Sequence, residues 1–177
     1  INNNIKPIVG LEVIINNFKI ILYCKSYNGY KNLLKITSSE DINLDILNTY
    51  NNDLVCIVPF ESVSLYDELV NIYNDVFIGY KNSDEEKNLN YDNLVYMNEI
   101  LCLEKKEQEY LKYLKSIDDG IPVKSVSNYS NNYLKLFDEV NSMYPKYLDN
   151  NYKIGNMCVL EIELQHDLLP KYPCPDG

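Results

Sequence analysis

Gly10-Leu11-Glu12-Val13-Ile14-Ile15-Asn16-Asn17-Phe18-Lys19-Ile20-Ile21-Leu22-Tyr23-Cys24 is the stretch on which the reading of the fold turns. Two runs rich in β-branched and aromatic residues flank a bare Asn-Asn pair. Asn tolerates the left-handed backbone that a two-residue hairpin turn demands, so the pattern predicts a strand, a tight turn and a second strand. The first strand is expected over Ile5 to Ile15, with Pro7 near its start and Gly10 admitting a close backbone neighbour. The second is expected over Phe18 to Cys24 and ends before Asn28-Gly29.

Downstream, apolar runs and helical periodicities alternate. Tyr30, Leu33, Leu34 and Ile36 predict a short amphipathic helix stopped by Thr37-Ser38-Ser39. Leu54 to Val58 reads as a buried strand closed by Pro59, and Leu65 to Tyr73 as a helix that Ser62 or Ser64 is placed to cap. Asp75 to Tyr80 and Leu94 to Met97 read as short strands, and the charged stretch Lys81 to Asn90 as a loop. Tyr110, Leu111, Leu114 and Ile117 give helical spacing over Glu104 to Ile117, ended by Gly120. Ser125 to Asn132 is a loop and Leu134 to Met143 a helix. A further helix is expected from Pro145 to about Cys158, then a strand over Val159 to Leu164. Strands alternating with helices argue for an α/β class with a largely parallel sheet, part of a barrel.

The 177 residues are enough for one domain with a full core. Their net charge is −10, and all sixteen basic residues are Lys. Without clustered cations or the bidentate fork of Arg, a primary nucleic-acid-binding surface is not expected. No apolar run is long enough to span a bilayer. The five cysteines are scattered without a close pair, which fits reduced, mostly buried thiols rather than a zinc site or disulfide framework. The chain begins with Ile, so its natural start is expected to lie upstream. It ends Leu168-Leu169-Pro170-Lys171-Tyr172-Pro173-Cys174-Pro175-Asp176-Gly177. The prolines there exclude a helix or central strand and predict a stiff extended strap, read as a linker toward a further domain.

Four segments carry a family resemblance. Lys6-Pro7-Ile8-Val9-Gly10-Leu11-Glu12 is similar to a strand of the form KPIIGxE. Cys24 to Ser39, through Gly29-Tyr30-Lys31-Asn32-Leu33, resembles AKNxxGYxNLxKLSS. Asn98 to Gly120 follows NDVHYLxKEDxxxxxxLxxIxxG, and Pro145 to Gly177 follows PEALxNTxEIAEKCNVEIxxxxxLLPxFPxPxG without a gap. Together they resemble the polymerase-and-histidinol-phosphatase (PHP) domain of the C family of DNA polymerases, the alpha subunits of bacterial DNA polymerase III. Glu40 to Leu94 matches loosely and looks short.

The resemblance implies an incomplete, distorted β/α barrel of PHP type over residues 1–164, its N-terminal part missing, and a proline-rich exit linker over 165–177 toward an absent polymerase palm. It also implies a cluster of His, Asp and Glu metal ligands at the open end of the barrel. Only Glu12 coincides with a family ligand position. Leu101 stands where the family carries a histidine, and an isobutyl group cannot coordinate a metal. Glu12 is thus at most a vestigial metal carboxylate, and otherwise an ordinary polar residue at a strand end. No catalytic residue and no cofactor are expected in this fragment. Its role is expected to be structural, bracing palm and thumb.

The parent would be a DNA-directed DNA polymerase with Mg²⁺ in the absent palm. Its partners would be the rest of the polymerase chain, a proofreading exonuclease subunit and a sliding clamp. DNA would be met only through the parent, no membrane partner is expected, and the location would be cytoplasmic. The rivals are a stand-alone PHP metal-dependent phosphoesterase and a pure interaction module.

Other candidate chemistry reads as structural. His166 and Cys174 would have to supply any Cys-His pair, and an unremarkable exposed pair is the plainer reading. Phe137 to Pro145 resembles motif A of B-family polymerases, but Glu139 stands where the metal-binding Asp belongs, so the segment is read as a helix end. Tyr110, Tyr113, Tyr129 and Tyr133 lack the basic patch that base stacking uses. Asp84-Glu85-Glu86 and Asp118-Asp119 read as solvated charges.

Overall fold

The computed structural model describes residues 5–144 and 146–162. Five strands, β1 (Gly10–Ile15), β2 (Phe18–Cys24), β3 (Leu54–Pro59), β4 (Val76–Tyr80) and β5 (Leu94–Tyr96), form one sheet in sequence order. Seven helices accompany them: α1 (Tyr27–Thr37), α2 (Leu44–Thr49), α3 (Tyr66–Leu69), α4 (Ser83–Lys87), α5 (Gln108–Asp119), α6 (Phe137–Met143) and α7 (Leu148–Met157).

The hairpin forms as the sequence dictates. Ile15 pairs with Phe18, and both Asn16 (φ 49°) and Asn17 (φ 69°) take the left-handed backbone of a primed turn. The sheet is mixed rather than largely parallel. β1, β2 and β3 pair antiparallel, and only β3–β4 and β4–β5 are parallel. The two-residue turn forces β1 and β2 antiparallel, and the two parallel steps each have a helical crossover, while the β2–β3 connection carries α1 and α2 and still returns antiparallel. The sheet is open, with β1 and β5 at its edges.

Period-two burial assigns the faces. Val13, Ile15, Ile20, Leu22, Cys24, Cys56 and Val58 meet Leu33 and Ile36 of α1, Leu47 of α2 and Leu69 of α3 on one face. On the other, Val55, Ile57, Phe77 and Val95 meet Ile154 of α7 and Cys158. A third cluster, Ile78, Tyr80, Leu94, Tyr144 and Tyr147, closes the first face beside β5.

Several boundaries differ from expectation. Ile5 to Val9 lies outside β1, although the Cys24 N–H donates to the Val9 carbonyl at 3.0 Å. Asn28-Gly29 sits inside the first turn of α1 rather than ending the strand: the Ser26 hydroxyl accepts from both their N–H groups and so starts the helix early. The helix expected over Leu65 to Tyr73 is only the short α3, preceded by a 3-10 turn over Phe60–Leu65, and neither Ser62 nor Ser64 caps it. Residues 83–87 form α4 instead of a loop because Asn82 caps their N-terminus and three acids fill the first turn, where the helix dipole favours them. No strand is present over Val159 to Ile162, and the remainder of that expected strand lies outside the described residues. So do Pro145 and the proline strap, including His166 and Cys174.

Candidate functional site

α7 crosses the β5 edge rather than lying flat on the sheet. Asn151 accepts from the Tyr96 N–H at 3.0 Å and donates to the Tyr96 carbonyl at 2.8 Å, while Asn150 donates to the Leu94 carbonyl at 2.8 Å. These two amides satisfy β5 as a neighbouring strand would. The helix then reaches the second face with Ile154, and among the described residues the area over β1 and β2 is left open.

The opening is a cavity of about 510 Å³. Its floor is apolar: Ile21, Tyr23, Ile57, Val95 and Ile154. Its rim is built at one end of the sheet. The 3-10 turn after β3 supplies Glu61, the residue after β4 is Lys81, and the chain leaving β5 supplies Asn98 and Glu99. The start of β2, running antiparallel, brings Lys19 to the same end, and β1 adds Glu12. Sites in α/β sheets commonly form at the carboxyl ends of parallel strands, where backbone direction changes and side chains converge.

Two ion pairs span this rim. Lys19 meets Glu12 at 2.9 Å, a diagonal cross-strand pair on one sheet face, since Lys19 is opposite Ile14 and Glu12 opposite Ile21. Lys81 meets Glu61 at 2.8 Å, tying together the chain ends that leave β4 and β3. Hydrogen bonding to Glu12 holds the Lys19 ammonium above its ordinary pKa against the cost of burial, with help from the Glu99 and Glu61 charges. Burial alone would raise the Glu61 carboxyl. The Lys81 hydrogen bond, Glu61's own N–H and the Lys81 and Lys19 charges outweigh it and leave the carboxyl below its usual value.

The sequence-derived candidates divide. Glu12 lines the cavity, half-exposed and paired. Leu101 does not line it: the residue is 46% exposed, and its N–H donates to the Asn132 carbonyl at 2.8 Å. Leu101 is thus not part of the cavity that Glu12 lines. The sequence pattern does not single out Lys19, Glu61, Lys81 or Asn151. Glu61 and Lys81 could have been found from their place just beyond predicted strand ends, whereas Asn151 carried no signal.

The segment resembling a polymerase motif is α6, where Glu139 receives a hydrogen bond from the Tyr133 hydroxyl and Asp138 is exposed. Tyr110 and Tyr113 are exposed on α5. Cys24, Cys56, Cys102 and Cys158 are free, and burial pushes the Cys56 thiol far up, which is the opposite of nucleophile activation. Among the described residues, no three His, Cys, Asp or Glu side chains converge as a metal site, and no helix is long and apolar enough to cross a membrane.

A mixed α/β sheet with a concave site at its strand ends defines only a broad class of proteins. Sequence comparison narrows it. Over 98% of its length the chain is 21% identical to the DNA polymerase III subunit alpha of Halalkalibacterium halodurans. Over 99% it is 20% identical to the subunit of the same name from Staphylococcus aureus. It spans about a fifth of these relatives, 19% and 18% of their lengths. The first alignment covers 217 positions, more than this chain has residues, so the relative carries extra residues within the matched region. No protein-family model matches the chain.

Proposed function

We propose that this chain is the PHP-type lobe of a C-family replicative DNA polymerase and that it serves the enzyme as a scaffold rather than as a second catalytic centre. The observation that carries the reading is the distant likeness to two polymerase III alpha subunits along nearly the whole chain. The place of the cavity supports it, because a PHP-type barrel carries its ligands at this end of the strands and Glu12 is there. On this reading the open five-stranded sheet is one wall of a distorted β/α barrel. Residues 1–164 form the lobe and 165–177 lead toward the palm.

DNA synthesis would then belong to the parent chain, with Mg²⁺ held by palm carboxylates. This lobe would brace palm and thumb and offer a surface to a proofreading exonuclease subunit. The sliding clamp and DNA would be met through the parent, in the cytoplasm. The decisive experiment is to read the gene around this segment and assay the encoded protein. Several hundred additional residues with a paired-aspartate palm, and primer extension abolished by their substitution, are expected. A short gene whose product hydrolyses phosphoesters with added Mn²⁺ would replace the reading with a stand-alone PHP phosphoesterase.

A further inference from the structure

The residues at the cavity rim do not fit a multinuclear metal centre. Such a centre needs several carboxylate or imidazole donors on each ion, and among the described residues no three such groups converge. What the rim holds instead is an alternation of charge. Glu12, Glu61 and Glu99 line it together with Lys19 and Lys81. Each lysine reaches a carboxylate within 3 Å, at 2.9 Å for Glu12 and 2.8 Å for Glu61.

We infer that Lys19 and Lys81 are built-in counter-ions of this cavity, two ammonium groups that neutralise Glu12 and Glu61 and make the rim independent of divalent cations. The inference deepens the polymerase-lobe reading and rests on it for the expectation that ions belong at this end of the sheet. The chemistry stands on the geometry. A carboxylate at 2.8–2.9 Å from an ammonium already has a charge-assisted hydrogen bond. A divalent ion entering beside it would face the lysine's positive charge at a few ångströms, across a partly desolvated rim. To bind, it would have to displace the lysine.

The pairs also link separate pieces of chain. Lys19–Glu12 spans the β1–β2 hairpin, and Lys81–Glu61 joins the exits of β4 and β3. A bridging cation would supply the same cross-links. Both pairs line the same cavity, so each holds a different part of its rim.

The experiment is thermal unfolding of the 177-residue chain at pH 7.5 in low salt, with EDTA, Mn²⁺ or Zn²⁺. The proteins compared are the wild type, the Lys19→Met/Lys81→Met variant, and the charge exchange Glu61→Lys/Lys81→Glu. Methionine keeps the alkyl stem, so packing is retained while charge is lost. The wild type is expected to unfold at one temperature in all three solutions. The double methionine variant should unfold about 2–4 °C lower, and the difference should shrink at 0.5 M NaCl, where exposed charges are screened.

The charge exchange should unfold within about 1 °C of the wild type, while Lys81→Glu alone falls below it. A wild type stabilised by Mn²⁺ or Zn²⁺ overturns the inference. If that protein also hydrolyses phosphoesters, the scaffold reading falls with it. A metal-insensitive wild type whose methionine variant is unchanged overturns the counter-ion role alone. A variant destabilised equally at both salt concentrations does so too, and both outcomes leave the lobe reading standing.

Discussion

Residues 10–96 and residues 97–143 draw on the same kinds of amino acid and are packed in opposite ways. In the first region Ile20, Leu22, Cys24, Ile36, Leu47, Val55, Cys56 and Ile78 are wholly buried. In the second, only Gln108, Tyr133 and Lys135 are buried, while Leu103, Tyr110, Leu114, Ile117, Leu136 and Phe137 are mostly exposed. The apolar stripe of α5 has the spacing of a core-facing helix, but the helix packs mainly against the 3-10 turns Lys105–Glu107 and Val123–Ser125 at its ends. Periodicity specifies that a helix forms and which side is apolar. It does not supply a surface to bury that side against.

The contrast can be broken most directly in the sheet. Leu22→Ala is expected to cost about 2–5 kcal/mol, through lost burial and the cavity left behind. Urea unfolding that moved by less than about 1 kcal/mol would contradict the burial assigned to β2. Gly29→Ala comes next. A Cβ there would overlap the Asp53 carbonyl oxygen, which is backbone and cannot swing aside. The expected cost is about 1–3 kcal/mol, read from the same unfolding curves. Asn151→Ala strips both partners from Tyr96 and should cost about 1–2 kcal/mol, with faster amide exchange at Tyr96 as the local signature.

A pH series sharpens the comparison further. Burial raises the Tyr80 hydroxyl far above its ordinary pKa of 10, and among the described residues the hydroxyl finds no partner. Tyr96 is pushed up to about 12, by burial first and then by Tyr144, Glu139 and Tyr133. The folded state favours the neutral phenols, so their contribution is complete below pH 10 and drains away as pH rises through the folded values. Tyr80→Phe should leave stability at pH 7 within about 0.5 kcal/mol and flatten the decline above pH 10. An alkaline limb of unchanged slope would remove Tyr80 as its cause.

The smallest effect is expected in the second region. Leu114→Ala and Ile117→Ala should each shift stability by no more than about 0.5 kcal/mol. A core-like loss at either would show that the stripe is covered in solution.

The sequence announced the hairpin, the sheet's apolar strands and α5 because each is decided by neighbours in the chain. Asn16-Asn17 imposes its turn locally, and Gly120 ends α5 with the left-handed backbone the residue permits. The sheet's mixed character is not legible, because runs such as Leu54 to Val58 are apolar at every position and carry no direction. α2 is not legible either: its six residues bury only Leu47, too short a pattern to stand out. Of the site, Glu12 was legible through resemblance alone. Its partner Lys19 is seven residues away across a turn, and Glu61 and Lys81 are separated by two elements, so their pairing exists only once the strands are ordered.

The two asparagines on α7 have a consequence for how this sheet meets other chains. Exposed strand margins recruit foreign strands and seed aggregates. At β5 that margin is already occupied by side-chain amides that mimic a peptide group, while among the described residues β1 pairs on one side only. Among the described residues, growth of the sheet by a visiting strand is therefore directional: the unpaired margin is Gly10–Ile15, and the opposite border is closed.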